Sequence, residues 1–477
     1  MEHCSAPAER ADCAKPTRRR AATGGSAVST EAGSPALLTD LYELTMLQAY
    51  FDEAMYRPAV FELFVRVLPP QRNFLMLAGI EQALDYLENL RFTPTELDWL
   101  RGTGRFRGEF IDWLRDFRFT GEVHAMREGS LFFGNEPVLR VEAPIGQAQF
   151  VESRLINLVN FSTLVATKAA RCVLAAPGKV LIDFGLRRAH GAEAGLLAAR
   201  SSYLAGFAGS ATVLAGQRYG IPVFGTMAHS YIEAHELEVD AFEHFAASQP
   251  RNVTLLIDTY DTEAAATKVV ALAPALLRRG VNLVSVRLDS GDLAIHARKV
   301  RAILDAGGLE DVRIFASGNL DEFRIAALLD GGAPIDGFGI GTHLTTSSDA
   351  PTLDSAYKLE VYAGEARRKR SEGKATWPGA KQVHRQLDAD GGLLRDHITL
   401  ADEAHAGAPL LQAVMRNGRR LAAPEALPAL RQHAAAELGR LPAALRGLES
   451  VPAEAVYPVE ISAGLRRLAA QLDRVPH

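Results

Sequence analysis

The sequence predicts an α/β protein: an irregular parallel α/β barrel with an N-terminal α+β domain before it and a C-terminal helical appendage after it. Three observations predict this. Short β-rich runs, "KVLIDF", "IPVFGT", "VTLLID", "NLVSVRL", "VRIFAS" and "IDGFGIG", recur mostly about 25 to 40 residues apart and are usually followed by helical sequence. Each run is almost continuously apolar, the pattern of a parallel strand covered on its outer side. Small, charged and hydroxylated residues gather after the strands, in "GLRRAHG", "GTMAHS", "DTYDT", "RLDSGD", "SGNLDE" and "GTHLTTS". In barrels and open parallel sheets that carboxyl edge is where chemistry sits. An open doubly wound sheet is the alternative to the barrel.

Residues 1–35 have no apolar core and carry Glu2, Glu9 and Asp12 among their arginines and serines. They read as a disordered tail, neither a secretory signal nor a transit peptide. A first domain is expected over 36–144. In "LLTDLYELTMLQAYF", Leu37, Leu38, Leu41, Leu44 and Leu47 recur at helical spacing, with Thr39 or Asp40 as N-cap. "AVFELFVRV" alternates as a strand, and "LMLAGIEQALDYLENL" reads as a helix. Thr93, Pro94 and Glu96 spell a capping box with proline at the first helical position. Strands near Glu122–Arg127 and Val138–Glu142 complete the domain.

The barrel is expected over 145–365, opened by one long amphipathic helix from about Gln147 to Ala175. Beyond Tyr362 the chain turns basic in "EARRKRSEGKATWPGAKQ", a solvated loop or an ordered loop at a site, with Lys381 beside the "WPG" turn. Residues 366–477 read as a return segment and a small helical appendage.

Composition narrows the function. A net charge of −5 gives no reason to expect a polyanion such as DNA as partner, although a few arginines would make a pocket for a phosphorylated small molecule. Three scattered cysteines make neither a disulfide framework nor a zinc knuckle, and a reducing cytoplasm fits them. No uninterrupted apolar run is long enough to predict a membrane span. His229, Glu233 and His235 lie close in sequence, but no HExxH-like or Cys/His spacing occurs, so zinc is not expected. Walker A, G-x-S-x-G and helix-opening G-x-G-x-x-G patterns are absent.

The strand ends offer specific chemistry. In "RLDSGD", Arg287 suits bidentate phosphate binding, and Asp289 suits sugar hydroxyls or a magnesium ion that also holds diphosphate. The bland alternative is an Arg–Asp ion pair with Ser290 as a helix cap. Gly339, Gly341 and Thr342 would cradle a phosphate on backbone N–H groups. Phe184 would stack on an aromatic ring, and the adjacent Arg187 and Arg188 would attract an anion. His229 sits among small residues at a strand end, as a nucleophile, a base or a loop cap.

"LLTDLYELTM", "GLRRAHG", "GTMAHS", "VRLDSGDL", "FGIGTHL", "YKLEVY" and "WPGAKQV", in this order, strongly resemble the nicotinate phosphoribosyltransferase family over roughly Leu37 to Arg385. The resemblance implies a type II phosphoribosyltransferase-like barrel that condenses nicotinate with phosphoribosyl pyrophosphate, giving nicotinate mononucleotide and diphosphate for NAD salvage. It implies ATP and Mg2+ as cofactors, with ATP hydrolysis coupled through a phosphohistidine at His229 and with Thr226 and Ser230 as hydroxyl donors beside it. Arg287 and Asp289 would engage the ribose phosphate and the diphosphate-bound magnesium, whose ligands stay unassigned. Gly341 and Thr342 would hold the ribose phosphate, and Arg187 would sit near base and diphosphate. Tyr42 would stack on the pyridine ring from the neighbouring subunit of a homodimer with shared sites, Phe184 forming the other side. The rivals are nicotinamide phosphoribosyltransferase, whose family has an aspartate where this chain has Ser210, and a non-catalytic phosphometabolite-binding barrel. Ser210 suits a carboxylate substrate that an aspartate would repel.

Overall fold

The computed structural model describes residues 36–474, so the expected N-terminal tail lies outside the described residues. Six parallel strands form the barrel sheet: β1 (Val180–Asp183), β2 (Gly209–Ser210), β3 (Val253–Leu256), β4 (Leu283–Leu288), β5 (Arg313–Ala316) and β6 (Gly337–Ile340). Their spatial order is β3-β4-β5-β6-β1-β2. Successive strands are neighbours, and β6 pairs with β1 through Gly339↔Ile182 and Ile340↔Asp183. That order is a ring cut once, which settles the fold against a doubly wound sheet, whose strand order reverses at a switch point.

The cut falls where "IPVFGT" was expected to be a strand. That run makes only a single bridge, Val223 to Ser210. Ser210 N donates to Pro222 O and Phe224 N to Ser210 O, at 3.1 and 3.0 Å. Pro222 brings no N–H of its own to extend a ladder. The barrel is irregular for that reason.

Two glycines open the barrel interior to aromatic rings. A Cβ on Gly339 would stand 2.5 Å from the Phe184 ring, and one on Gly337 2.8 Å from the Phe315 ring. The outer helices are started by aspartates: Asp261, Asp292 and Asp321 each accept backbone N–H groups at an N-cap. Asp292, not Ser290, is therefore the cap after "RLDSG".

The other sheets depart from the sequence reading in three places. "LMLAGIEQALDYLENL" divides into a two-residue strand, Leu75–Met76, and a helix, Ile80–Asn89, because Gly79 takes φ +97 between them. The long helix is interrupted at Val151, giving Ile145–Phe150 and Glu152–Ala175. The chain beyond the barrel contains strands as well as helices: Ser355–Tyr362 pairs with Pro58–Val65, and Gln412–Arg416 pairs with Glu122–Ala125. The first domain's antiparallel sheet is thus completed by chain that returns after the barrel. The capping box at Thr93 and Glu96 forms as expected.

The run Ile145–Ala175 is long and apolar enough to cross a membrane, but 72% of its most apolar window is buried inside the protein. It is a core helix. Its Lys168 and Arg171 both reach the fully buried Glu322, at 2.6 and 2.8 Å.

Candidate active site

Arg287, near the carboxyl end of β4, organises the barrel mouth. Its Nε donates to Ser317 Oγ at 2.9 Å, Nη1 to Thr226 Oγ1 at 3.0 Å, and Nη2 to Asp289 Oδ1 at 3.1 Å. The guanidinium carbon lies 5.5 Å from the Phe184 ring centroid, within cation–π range. A long cation held by three separate elements loses little further freedom when it binds an anion.

Asp289 is fixed in turn by Ser317 Oγ at 2.5 Å. Burial acts to raise its pKa, but Ser317, Arg287 and His229 outweigh burial and hold the carboxyl below its ordinary value. It stays an anion at neutral pH. His229 opens a short helix, His229–Glu233, with 37% of its side chain exposed. Its Nδ1 pairs with Thr259 Oγ1 at 3.1 Å, and Nε2 faces Asp289 Oδ2 at 3.8 Å. Asp258 Oδ2 accepts from the backbone N–H of Asp289 and from Ser290 Oγ, at 2.9 and 2.6 Å, while its Oδ1 is buried without a hydrogen-bond partner. Gly318, at φ +96, lets the "SGN" turn close over this loop: a Cβ there would stand 2.0 Å from Asp289 O.

A cavity of about 440 Å³ occupies the barrel interior: Phe184 and Thr226 line its end toward this edge, while Val180, Asn252, Arg313 and Asp336 line it at the amino-terminal ends of the strands. Arg187 and Arg188 are exposed in the turn after β1, and Gly341 and the exposed Thr342 start a short helix after β6. The arrangement offers cations for phosphates, an aromatic wall for a flat ring, and an exposed imidazole beside an anionic carboxylate.

The sequence matches two family models, described as the nicotinate phosphoribosyltransferase N-terminal domain over residues 37–160 and the nicotinate phosphoribosyltransferase family over residues 180–387. The chain belongs to this family. It is 48% identical over 444 residues to a Mycobacterium tuberculosis nicotinate phosphoribosyltransferase, covering 93% of this chain and 94% of that one. It is 39% identical to the Bacillus subtilis nicotinate phosphoribosyltransferase over 379 residues, covering 78% of this chain and 77% of that one. The crystal structure of human nicotinic acid phosphoribosyltransferase superposes with a TM-score of 0.81 at 31% identity, covering 91% of this chain and all of the other.

Several residues singled out from the sequence of this nicotinate phosphoribosyltransferase family member meet at the mouth: His229, Arg287, Asp289, Thr226 and Phe184 are linked by the contacts above. Thr226 holds Arg287 and also donates to Met227 O at 3.3 Å. Ser230 is exposed beside His229. Ser210 corrects its expectation. It is fully buried, its Oγ donates to Asp183 Oδ2 at 2.7 Å, and that same Oγ accepts from Thr212 N at 2.9 Å. Its hydroxyl is committed to Asp183 and to the Thr212 N–H. Burial raises the Asp183 pKa to about 6, although Ser210 and the Gly185 N–H pull it down.

Lys381 is a second correction. It is 3% exposed, and its Nζ contacts Glu62 at 2.8 Å, Glu360 at 3.4 Å and the carbonyls of Trp377 and Gly379 at 2.5 and 3.0 Å. This lysine pairs with Glu62 and Glu360 where the C-terminal segment meets the first sheet; burial outweighs its charge and raises the Glu360 pKa to about 8, and the lysine has no donor left for substrate. Tyr42 lies on the helix Leu41–Asp52, 44% exposed, among Glu43, Glu152 and Ser153. None of those neighbours belongs to the barrel mouth.

Sequence reasoning did not single out Asp258, Thr259, Ser317 or Gly318. All four sit in "DTYDT" and "SGNLDE", directly after strands β3 and β5. Their position at the carboxyl edge was the available signal.

Proposed function

We propose that this chain transfers the phosphoribosyl group of phosphoribosyl pyrophosphate to nicotinate, releasing diphosphate, as the names of its relatives describe. The observation that carries the reading is Arg287, fixed by Ser317, Thr226 and Asp289 beneath the Phe184 ring. The nicotinate ring nitrogen has a free lone pair, so no base is needed. It attacks the anomeric carbon while the bond to diphosphate breaks. The protein's task is to hold ring and sugar in line and to stabilise the departing charge. Phe184 supplies the ring surface, Arg287 and Arg187 the cations, and the Gly341–Thr342 turn the ribose-phosphate donors.

Magnesium fits the acceptors present: Asp258 Oδ1 and Asp289 Oδ2 are carboxylate oxygens without a hydrogen bond among the described residues, the hard ligands this ion prefers. When bound there it would neutralise charge developing on diphosphate.

ATP coupling through His229 is the second part of the reading. With Nδ1–H donated to Thr259, the Nε2 lone pair is free to take the γ-phosphoryl group, and ADP leaves. Water later cleaves the phosphoramidate, returning free imidazole and phosphate. Tyr42, exposed and remote in its surroundings from the mouth, fits a homodimer in which each subunit lends its ring to the other. The sparse cysteines fit a cytoplasmic setting.

The decisive assay measures diphosphate release with nicotinate, nicotinamide or quinolinate, each with and without ATP. Nicotinate preference with ATP stimulation supports the proposal. Comparable turnover of nicotinamide defeats the substrate assignment, and indifference to ATP defeats the role of His229.

A further inference from the structure

The small C-terminal sheet carries three histidines that the proposed reaction does not use. His384 lies on the strand Lys381–Leu387, and His397 is its direct partner on the antiparallel strand Leu393–Leu400. Directly paired residues project to one face, with Cβ atoms roughly 4.5–5.5 Å apart. His405, in the loop beyond, brings its ring centroid to 4.2 Å from that of His397 and 5.3 Å from that of His384. Imidazoles that share a tetrahedral ion at ~2.0–2.1 Å have ring centroids roughly 5 Å apart. The cluster has that spacing.

A second observation is independent of the first. Both ring nitrogens of His384, Nε2 of His397 and Nδ1 of His405 are buried without a hydrogen-bond partner. Folded proteins leave few buried polar atoms unpaired, and four in one cluster calls for a ligand. His384 is 8% exposed, and its ring lies against the Gly407 backbone. Burial lowers the pKa of both His384 and His397, with the Gly407 backbone then opposing it at His384 and the His405 ring adding to it at both, and Glu403 and Glu460 opposing; the net shift favours neutral rings. Nδ1 of His397 faces Glu460 Oε2 at 3.6 Å, the carboxylate–histidine arrangement that orients a ligating ring. The other charges nearby are committed: Arg395 to Glu460, Asp396 to Arg385, and Glu403 to Ser462.

We propose that His384, His397 and His405 bind one divalent transition-metal cation of the zinc class, which clips the 401–407 loop onto the sheet. As the rings lie, no group of three such side chains among the described residues converges on one ion, so binding requires ring rotation. His405, half-buried in a loop, is the ring free to turn. Three neutral imidazoles suit zinc, cobalt or nickel rather than magnesium. The spacings of 13 and 8 residues (397 − 384 and 405 − 397) match no short metal motif, so no zinc site was expected from them.

The test uses the full chain without an affinity tag, stripped with EDTA and titrated with Co2+ against a competing chelator. One equivalent should bind with the visible absorption of a four-coordinate ion, and Zn2+ should displace it. His405→Asn and His405→Gln should weaken binding roughly tenfold or more, with unchanged circular dichroism and unchanged nicotinate mononucleotide formation. Cys4→Ser/Cys13→Ser should bind as wild type. The proposal is overturned if wild type takes up no cobalt, if both His405 variants bind like wild type, or if the absorption disappears in the cysteine variant instead.

Discussion

At the residue scale, the site is a set of side chains whose partners decide what each can do. Arg287 makes four directed donations from one planar fork, to Ser317, Thr226, Met227 O and Asp289, so Arg287→Lys cannot reproduce its geometry. We expect Arg287→Lys to lower kcat/KM about 100-fold or more, within the range for losing a preorganised donor, measured as diphosphate release at unchanged thermal stability. His229→Asn should abolish ATP hydrolysis while leaving ATP-independent transfer, because other residues build the phosphoribosyl site. An acid-labile, base-stable phosphate on wild type and absent from the variant is the matching readout; equal loss of both activities would place His229 in the transfer site itself. Ser210 gives a pH-dependent case. The folded Asp183 has its pKa raised to about 6 from an ordinary value near 3.8, so its folded state favours the proton. That contribution to stability is complete below about pH 4 and is lost as pH rises through about 6. Ser210 stabilises the ionised form, and Ser210→Ala leaves that anion short of a donor. Thermal melts should therefore show the variant losing more relative to wild type at pH 8 than at pH 5, by about 1.5–3 kcal/mol at the higher pH. Equal losses at both would mean that the carboxyl does not titrate in this range. Arg287, Asp289 and His229 were legible because they follow strands in unusual local sequences. Ser210 was named by its place in the resemblance and Lys381 by its place beside the "WPG" turn, and a single sequence does not reveal that internal carboxyl groups already claim their donors.

At the element scale, the turns after the strands carry the function, and one of them admits only glycine. Gly318 takes φ +96 and would place a Cβ 2.0 Å from the Asp289 carbonyl, a backbone atom that cannot move without displacing the Asp289 side chain. Gly332 also has positive φ, +69, but nothing within 4 Å of its Cβ position. Gly332→Ala should thus cost about 1–2 kcal/mol from backbone conformation alone, with activity intact. Gly318→Ala should cost more stability and also most of the activity, because it moves the carboxylate that Ser317 and Arg287 align. Similar behaviour of the two variants in melts and turnover would contradict this account. The helix beginning at Pro94 shows where sequence is most legible: its capping box is local, needing only Thr93 and Glu96 three residues apart. The "IPVFGT" run shows where it is least legible, since its apolar composition was right for a strand and the sheet register around Pro222 was not visible.

At the scale of the whole molecule, the barrel was readable because its units neighbour one another in chain order, whereas the first domain's sheet was not. Ser355–Tyr362 and Gln412–Arg416 join it from far along the chain, and nothing local in those segments names their partners. The same non-locality governs the active site if Tyr42 serves a second subunit. Its ring lies near Glu43 on its own helix and Glu152 and Ser153 on the helix Glu152–Ala175, and is 44% exposed. A ring stack is worth about 0.5–1.5 kcal/mol beyond burial, so Tyr42→Ala should weaken nicotinate binding several-fold. Tyr42→Asp, which adds a charge facing an anionic base, should be nearly inactive, as should Arg287→Ala. In a twofold dimer with shared sites, mixing those two variants puts both lesions in one site and neither in the other. Half of the dimers formed at statistical mixing are heterodimers, and each has one intact site of two. Activity should return to about a quarter of wild type, measured after reversible dissociation, with heterodimer formation verified by differential tagging. If heterodimers form and activity stays at the level of the parents, each chain builds its site alone and Tyr42 has no part in its partner's chemistry.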